Sequence, residues 1–289
     1  VAVCGYHGWQ DWYIGSTSRN LGVPKAVQAL THGFTYNDLD SLEALFRKSP
    51  DDMAAVILEP MNVVYPTPGF LEGIRELTER HGALLIFDET ITGFRFANGG
   101  AQELFGVTPD LATFGKGLAN GYPLSVLAGR ADIMRMLEDV FFSFTMGGET
   151  LALAAAKAVL HKLPRDNVVD RLRVQGEKVI AGVAELIERH DVGDFFSVSG
   201  HPAWSFLNMR AAGDYTVWQI RTLFLQEIFA RGVLSLGSHN MSFAHTDDDI
   251  TQLLDTYEAV FPVLRDAVVS RTLESQLRCE ILQPVFKVR

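Results

Sequence analysis

Four short apolar runs, each ending in a residue with useful chemistry, constrain this chain more than any other feature. Residues 54–58 run into Glu59-Pro60, and residues 83–87 into Asp88-Glu89. Residues 111–114 run into Gly115-Lys116, and residues 125–128 into Gly129-Arg130. Runs of four or five residues without polar alternation read as strands covered on both faces, as in a parallel sheet. Between the first two lies a helix expected over about 69–81. Phe70, Ile74 and Leu77 share one of its faces, while Glu72, Arg75, Glu76 and Glu79 point elsewhere. An earlier helix carries Leu42, Leu45 and Phe46, with Asp40 as its expected cap. Strand and helix alternating in this way build βαβ units. Val1-Ala2-Val3-Cys4 reads as a strand already under way, so residues are expected to precede Val1.

After Gly147-Gly148 the texture changes. Residues 149–163 form an Ala-rich helix that Pro164 stops, unless Pro164 starts the next element. A long amphipathic helix is expected over 166–190. Short strands follow at 195–199, 205–209 and 233–236, with a helix over 215–231 between the last two. Thr246-Asp247-Asp248 caps a final helix through about 269. The expected fold is α/β. A large domain with a mostly parallel sheet covers 1–163, and a smaller α+β domain covers 164–289.

Bulk properties exclude several classes. A chain of 289 residues, 47% hydrophobic, buries a core without disulfide staples. A formal net charge of −10 argues against a nucleic-acid binder, which carries a basic face. Cys4 and Cys279 form neither a C-x-x-C pair nor a metal-ligand spacing, and read as free thiols in a reducing compartment. No apolar run approaches the ~20 residues of a membrane span, and no secretory leader is visible. The expectation is a soluble cytoplasmic protein with small-molecule partners, without nucleic acid or membrane. His239 and His245 are too isolated for a metal site, and no H-E-x-x-H occurs.

Open α/β sheets hold ligands at the carboxyl ends of their strands. Here those ends carry Glu59, Asp88 and Lys116. An acid and a lysine at neighbouring strand ends suit pyridoxal 5'-phosphate (PLP). Its aldehyde needs a lysine amine, and its ring is an electron sink only while a carboxylate keeps the pyridine nitrogen protonated. Asp88 follows a buried strand, where an unpaired carboxylate is costly; an N-cap or a salt bridge accounts for it equally well. Lys116 lies between glycines that let a bulky group approach the backbone, or is a surface lysine in a turn. Tyr6-His7-Gly8-Trp9 offers an aromatic for ring stacking, or ordinary core packing. Thr145-Met146-Gly147-Gly148 offers a hydroxyl and free amides to a phosphate, or a plain helix entry. Arg95 suits a substrate carboxylate or an ion pair.

Taken together and in order, these blocks resemble a family. Tyr6-His7-Gly8-Trp9, Glu59-Pro60, Asp88-Glu89-Thr90-Ile91-Thr92-Gly93-Phe94-Arg95, Pro109-Asp110, Gly115-Lys116-Gly117 and Thr145-Met146-Gly147-Gly148-Glu149-Thr150 are similar to class III aminotransferases. The branch containing glutamate-1-semialdehyde aminomutase is the nearest match, and residues 237–246 resemble that branch as well. The resemblance implies a fold type I PLP enzyme. Lys116 then forms the internal aldimine and serves as acid–base, and Asp88 pairs with the pyridinium. Tyr6, within the Tyr6-His7 block, stacks on one ring face. Thr90 lies near the other face, where relatives usually place Val. Glu59 supports the Asp88 region or the substrate end. Thr145 is the phosphate contact given by a partner subunit, which implies a homodimer with shared sites. The loop that cups the phosphate is expected before Val1.

The resemblance leaves a choice of reaction. An aminotransferase moves an amine from a donor to a keto or aldehyde acceptor; an aminomutase shifts it within one substrate. Gly117-Leu118-Ala119-Asn120 after the lysine, and Gly147-Gly148-Glu149-Thr150, depart from the aminomutase pattern and favour an aminotransferase. A non-catalytic relative that only binds PLP or a partner is the third reading, and intact Lys116 and Asp88 argue against it.

Overall fold

The computed structural model describes residues 1–50 and 52–284. They fall into two compact units, 1–169 and 170 onward.

In the first unit the elements run in the order β1 (Ala2–Cys4), α1 (Asp11–Ile14), α2 (Lys25–Gln28), β2 (His32–Gly33), α3 (Leu39–Lys48), β3 (Ala55–Leu58) and α4 (Phe70–Arg80). There follow β4 (Leu84–Asp88), α5 (Ala101–Phe105), β5 (Leu111–Phe114), β6 (Val126–Gly129), α6 (Ala131–Met134) and α7 (Thr150–Arg165). The six strands form one sheet in the order β2-β1-β3-β4-β5-β6. All neighbours are parallel except β5 and β6. The sheet is therefore mostly parallel, as its apolar runs require.

Alternate residues of each strand go to opposite faces. Ala2, Val56, Leu58, Leu85 and Phe87 join Leu42 and Phe46 of α3 and Phe70, Leu71 and Ile74 of α4 in one core. Val3 and Ile57 face the other way, against Tyr13 of α1. β3 is buried throughout, but β4 alternates between buried and half-buried. β6 departs from the expectation of a strand covered on both faces: it is an edge strand, antiparallel, and exposed along its whole length. An apolar run four residues long carries no mark that separates an edge strand from a central one.

Two boundaries also differ. Asp38, not Asp40, caps α3, accepting from the Ser41 amide, and Asp40 lies in the first helical turn. Pro164 does not stop α7, which continues to Arg165. In the last turn a proline forfeits only one backbone bond, and its φ suits the helix.

Asp110, which immediately precedes β5, joins the sheet to its surroundings. One carboxylate oxygen accepts from the Leu85 amide at 2.8 Å and from Arg75 of α4 at 2.9 Å. The other accepts from Arg130, just past β6, at 2.9 Å. These donors outweigh burial and hold the Asp110 carboxyl below the ordinary carboxylate range.

The second unit contains most of α8 (Val168–Arg189), then β7 (Phe196–His201), β8 (Trp204–Met209), α9 (Val217–Ala230), β9 (Ser238–Asn240), α10 (Asp247–Val269) and α11 (Leu273–Gln276). β7, β8 and β9 form an antiparallel sheet. At its core Phe224 meets Phe196 and Tyr257 edge-on, and Tyr257 stacks on Phe261. Thr216 caps α9 with Gln219, and Thr246 caps α10 with Asp249, each in a reciprocal box. The strand expected at 233–236 forms instead at Ser238–Asn240, and Leu234 is left exposed. Backbone pairing with β8 settles that register, and apolar content does not. His239 is buried between the Ser205 hydroxyl and Tyr257, and burial pushes it down to about 4.

Two predictions follow from this packing. Asp110→Ala leaves a buried amide and Arg75 without their acceptor, and is expected to cost roughly 2–4 kcal/mol in denaturant titration. Because the folded Asp110 pKa is depressed, its contribution is present above about pH 4. It is lost as pH falls through the folded value, and the Asp110→Ala protein should lack that acid-dependent loss. The two cysteines should also react differently. Burial and the Glu59 charge push Cys4 up to about 12, whereas Cys279 is exposed. One equivalent of a thiol reagent should react in the native protein and a second only on unfolding.

Candidate active site

Parallel register brings the carboxyl ends of four strands of the first unit level with one another. Cys4 pairs with Leu58, Leu58 with Phe87, and Asp88 with Thr113. Tyr6 and His7, Glu59, Asp88 and Lys116 therefore follow on one edge of the sheet, where such sheets place ligands.

Gly5 makes the turn after β1 possible. Its φ is +98°, and a Cβ there would lie 2.6 Å from a Glu59 carboxylate oxygen. The chain then swings back, and the Tyr6 amide donates to Glu59 Oε2 at 3.0 Å. Asn62 donates to the same oxygen at 3.1 Å. Burial raises the Glu59 pKa, and the nearby Asp88 charge adds to that, against these two donors.

Asp88 is the most heavily supported group. Its Oδ2 lies 2.8 Å from His7 Nδ1. Its Oδ1 accepts from the Thr90 amide and from Thr113 Oγ1, each at 3.1 Å. The side chain is 14% exposed. Burial alone would raise its pKa, but hydrogen bonds from His7 and Thr90 outweigh it and hold Asp88 below the ordinary carboxylate range. A carboxylate has about four lone-pair sites. Oδ1 is met by Thr90 and Thr113 and Oδ2 by His7, which leaves Oδ2 able to accept from a cationic N–H as well. That donor set fits the pyridinium of PLP.

Lys116 opens a short 3₁₀ turn, 116–118, directly after β5. Its φ is +44°, in the left-handed region that a non-glycine residue rarely adopts. Such strain clusters where function needs a side chain aimed in one direction. Lys116 is exposed. A Cβ on Gly115 would lie 3.4 Å from the Thr90 methyl, and one on Gly117 would meet nothing within 4 Å. Thr90 thus borders the Lys116 turn on one side and Asp88 on the other, and the far side of the turn is open enough for a bulky group. α7 packs against the turn through Ala156, which clusters with Leu118 and Ala119.

The structure places two hydrogen-bonded groups at this edge, Tyr6 with Glu59 and His7 with Asp88 and Thr90, and Lys116 follows at the end of the next strand, β5. Tyr6 is half-exposed, with its ring edge-on to Tyr13. Thr145 is outside this group, on an exposed turn closed by the Gly147 amide and the Phe144 carbonyl. Glu149 caps α7 and takes the Leu151 and Ala152 amides. Arg95 is half-buried, and its Nε donates to the Ile91 carbonyl.

Three supporting residues escaped the sequence reading. Thr113 was legible as the one hydroxyl in an otherwise apolar strand. Asn62 had no such signal. Glu89, 1% exposed, turns away from Asp88 and accepts from the Ala101 and Gln102 amides and from Thr92. It fixes the loop from 89 to 101 that follows the site.

A family model described as Aminotransferase class-III matches residues 5–256. A 3-aminobutyryl-CoA aminotransferase of Cloacimonas acidaminovorans (strain Evry) is 37% identical, over 88% of this chain and 63% of its own length. A glutamate-1-semialdehyde 2,1-aminomutase 2 of Brevibacillus brevis is 35% identical, over 88% of this chain and 66% of its own. The chain thus spans slightly under two thirds of these relatives. Among solved structures, the PLP internal aldimine form of the Sphingopyxis sp. MTA144 FumI protein superposes with a TM-score of 0.81 at 28% identity, covering 92% of this chain and 65% of that one. An omega-transaminase from Sphaerobacter thermophilus shares the fold, with a TM-score of 0.80 at 24% identity over 91% of this chain and 68% of that one. PLP is the cofactor of the family. The chain belongs to the class III aminotransferases.

Proposed function

We propose that this chain is the catalytic part of a PLP-dependent aminotransferase, moving an amino group from a small-molecule donor to a keto or aldehyde acceptor. The observation that carries this reading is the Asp88 carboxylate, kept anionic by donors from His7, Thr90 and Thr113, with a strained lysine at the next strand end.

When bound, PLP supplies an electrophilic carbonyl and a conjugated ring that accepts an electron pair. Lys116 is its covalent anchor, and once released its Nζ accepts and returns the proton at the reacting carbon. Asp88 holds a proton on the ring nitrogen, because a buried carboxylate favours the cationic form beside it. Tyr6 would pack on one face of the bound ring and Thr90 would lie near the other. Glu59 orients the Tyr6 backbone by accepting the hydrogen bond from its amide. Thr145 reaches the phosphate of a partner subunit, in a homodimer with shared sites. The exposed apolar side chains around it support that assembly: Phe141 is 96% exposed, Phe142 69% and Phe144 57%. Apolar exposure on this scale marks an interface. No described helix is long and apolar enough to cross a membrane. The two unpaired cysteines suit a reducing, cytoplasmic setting.

An intramolecular amino shift is the second reading. Two relatives bearing the aminomutase name, at 35% and 36% identity, favour it. The residues after Lys116 and after Gly147 favour the aminotransferase. Amino transfer to an added oxo acid, set against isomerisation of glutamate-1-semialdehyde without one, separates the two.

Borohydride reduction of the PLP-loaded protein followed by peptide mapping should place the pyridoxyl label on Lys116; a label on another lysine overturns the assignment. Asp88→Asn keeps the shape and removes the charge, and should lower turnover by roughly 10²–10⁴-fold while the protein stays folded. Phe142→Glu should shift the protein from dimer to monomer in light scattering and lower its retention of PLP.

A further inference from the structure

The hydrogen bonds around His7 fix more than its position. Its side chain is 1% exposed. Nε2 lies 3.0 Å from the Cys4 carbonyl oxygen, which only accepts, so Nε2 carries a proton. Nδ1 lies 2.8 Å from Asp88 Oδ2. A neutral ring protonated on Nε2 presents a bare lone pair at Nδ1. That lone pair would face a carboxylate lone pair at hydrogen-bond distance with no hydrogen between them. A second proton therefore sits between Nδ1 and Oδ2. The Thr90 amide and the Thr113 hydroxyl both donate to the other oxygen of Asp88, which favours its anionic form and leaves the bridging proton on the histidine.

We infer that His7 is a positioning residue that acts through Asp88: a ring with both nitrogens protonated, anchored on the Cys4 carbonyl, that fixes the carboxylate and tempers its pull on the cofactor's ring nitrogen. This rests on the proposed PLP site. The ring is held from every side. Trp12 stacks on it at 6.2 Å between centroids, and Tyr13 meets it edge-on at 5.4 Å. The ionisable groups around it are Cys4 on β1, Tyr6 beside it in the turn, Tyr13 on α1, Glu59 after β3 and Asp88 on β4. Burial pushes Cys4 and Tyr13 each up to about 12, so both stay neutral. The remaining opposite charges are the carboxylates of Asp88, in direct contact, and Glu59. With His7 on one side of Oδ2 and two donors on Oδ1, the carboxyl plane cannot turn, and its last lone pair points in a single direction. The positive ring also offsets part of the Asp88 charge, so the ring-nitrogen proton is shared rather than locked.

The test uses the PLP-loaded chain with ¹⁵N-labelled histidine rings, the His7 signals being assigned by their loss in His7→Asn. Both His7 ring nitrogens should show a directly bonded proton; a bare nitrogen in either position overturns the inference. His7→Asn replaces the ring with a neutral donor towards Asp88, and His7→Leu removes the donor. PLP binding should weaken by roughly 10- to 100-fold in His7→Leu and substantially less in His7→Asn. In His7→Asn the ¹⁵N shift of isotopically labelled PLP should move towards a more fully protonated ring nitrogen. An unchanged shift, or equal losses in both variants, assigns His7 a packing role alone. Borohydride labelling of Lys116 in the same sample keeps the two hypotheses apart. A labelled Lys116 with a bare His7 nitrogen removes only this inference, whereas an unlabelled Lys116 removes the PLP reading itself.

Discussion

A buried carboxylate is tolerated only where its charge is met, and Asp88 is met from several strands at once. His7 arrives from the turn after β1, Thr113 from within β5, and the Thr90 amide from the residues just past its own strand. No single element supplies that set. It exists because β1, β3, β4 and β5 run parallel and end in register. The sheet core that sets this register, with Leu58, Leu85 and Phe87 packed on α3 and α4, is therefore what holds the site's electrostatics in place.

Much of this was legible in the sequence, and for a physical reason. Strands buried in a parallel sheet must be apolar throughout, so β3, β4 and β5 announced themselves, and the polar residues that ended them marked the ligand edge. The capping signal at Thr246 was as plain, because a helix N-terminus needs acceptors of known kinds. The misreadings fall where local content and long-range pairing diverge. Residues 233–236 are more apolar than Ser238–Asn240, yet the latter pair with β8. β6 has the composition of a core strand and the position of an edge. Asp38 and Asp40 are chemically equal candidates, and only backbone geometry separates them.

The supporting residues around the site were less legible still. Thr113 acts through a contact between segments far apart in sequence, 25 residues from Asp88, whereas Asn62 reaches back only three residues to Glu59. Only Thr113 broke a local pattern. His7 was visible as part of a motif, but its role depends on the two oxygens that face its ring, and neither can be read from Tyr6-His7-Gly8-Trp9 alone.

The pair Asp88-Glu89 shows how one strand divides its chemistry. The two acids are neighbours of nearly equal intrinsic acidity, and side chains on a strand point alternately to opposite faces. Asp88 meets Thr90 and Thr113 on Oδ1 and only the His7 ring on Oδ2, which leaves Oδ2 able to accept again. Glu89 is saturated by the Ala101 and Gln102 amides, Gln102 and Thr92. An acid whose every lone pair is used can only hold structure, while one left partly unmet can take a ligand. The unfilled valence of Asp88, more than its burial or its charge, is what distinguishes the site from the scaffold beside it.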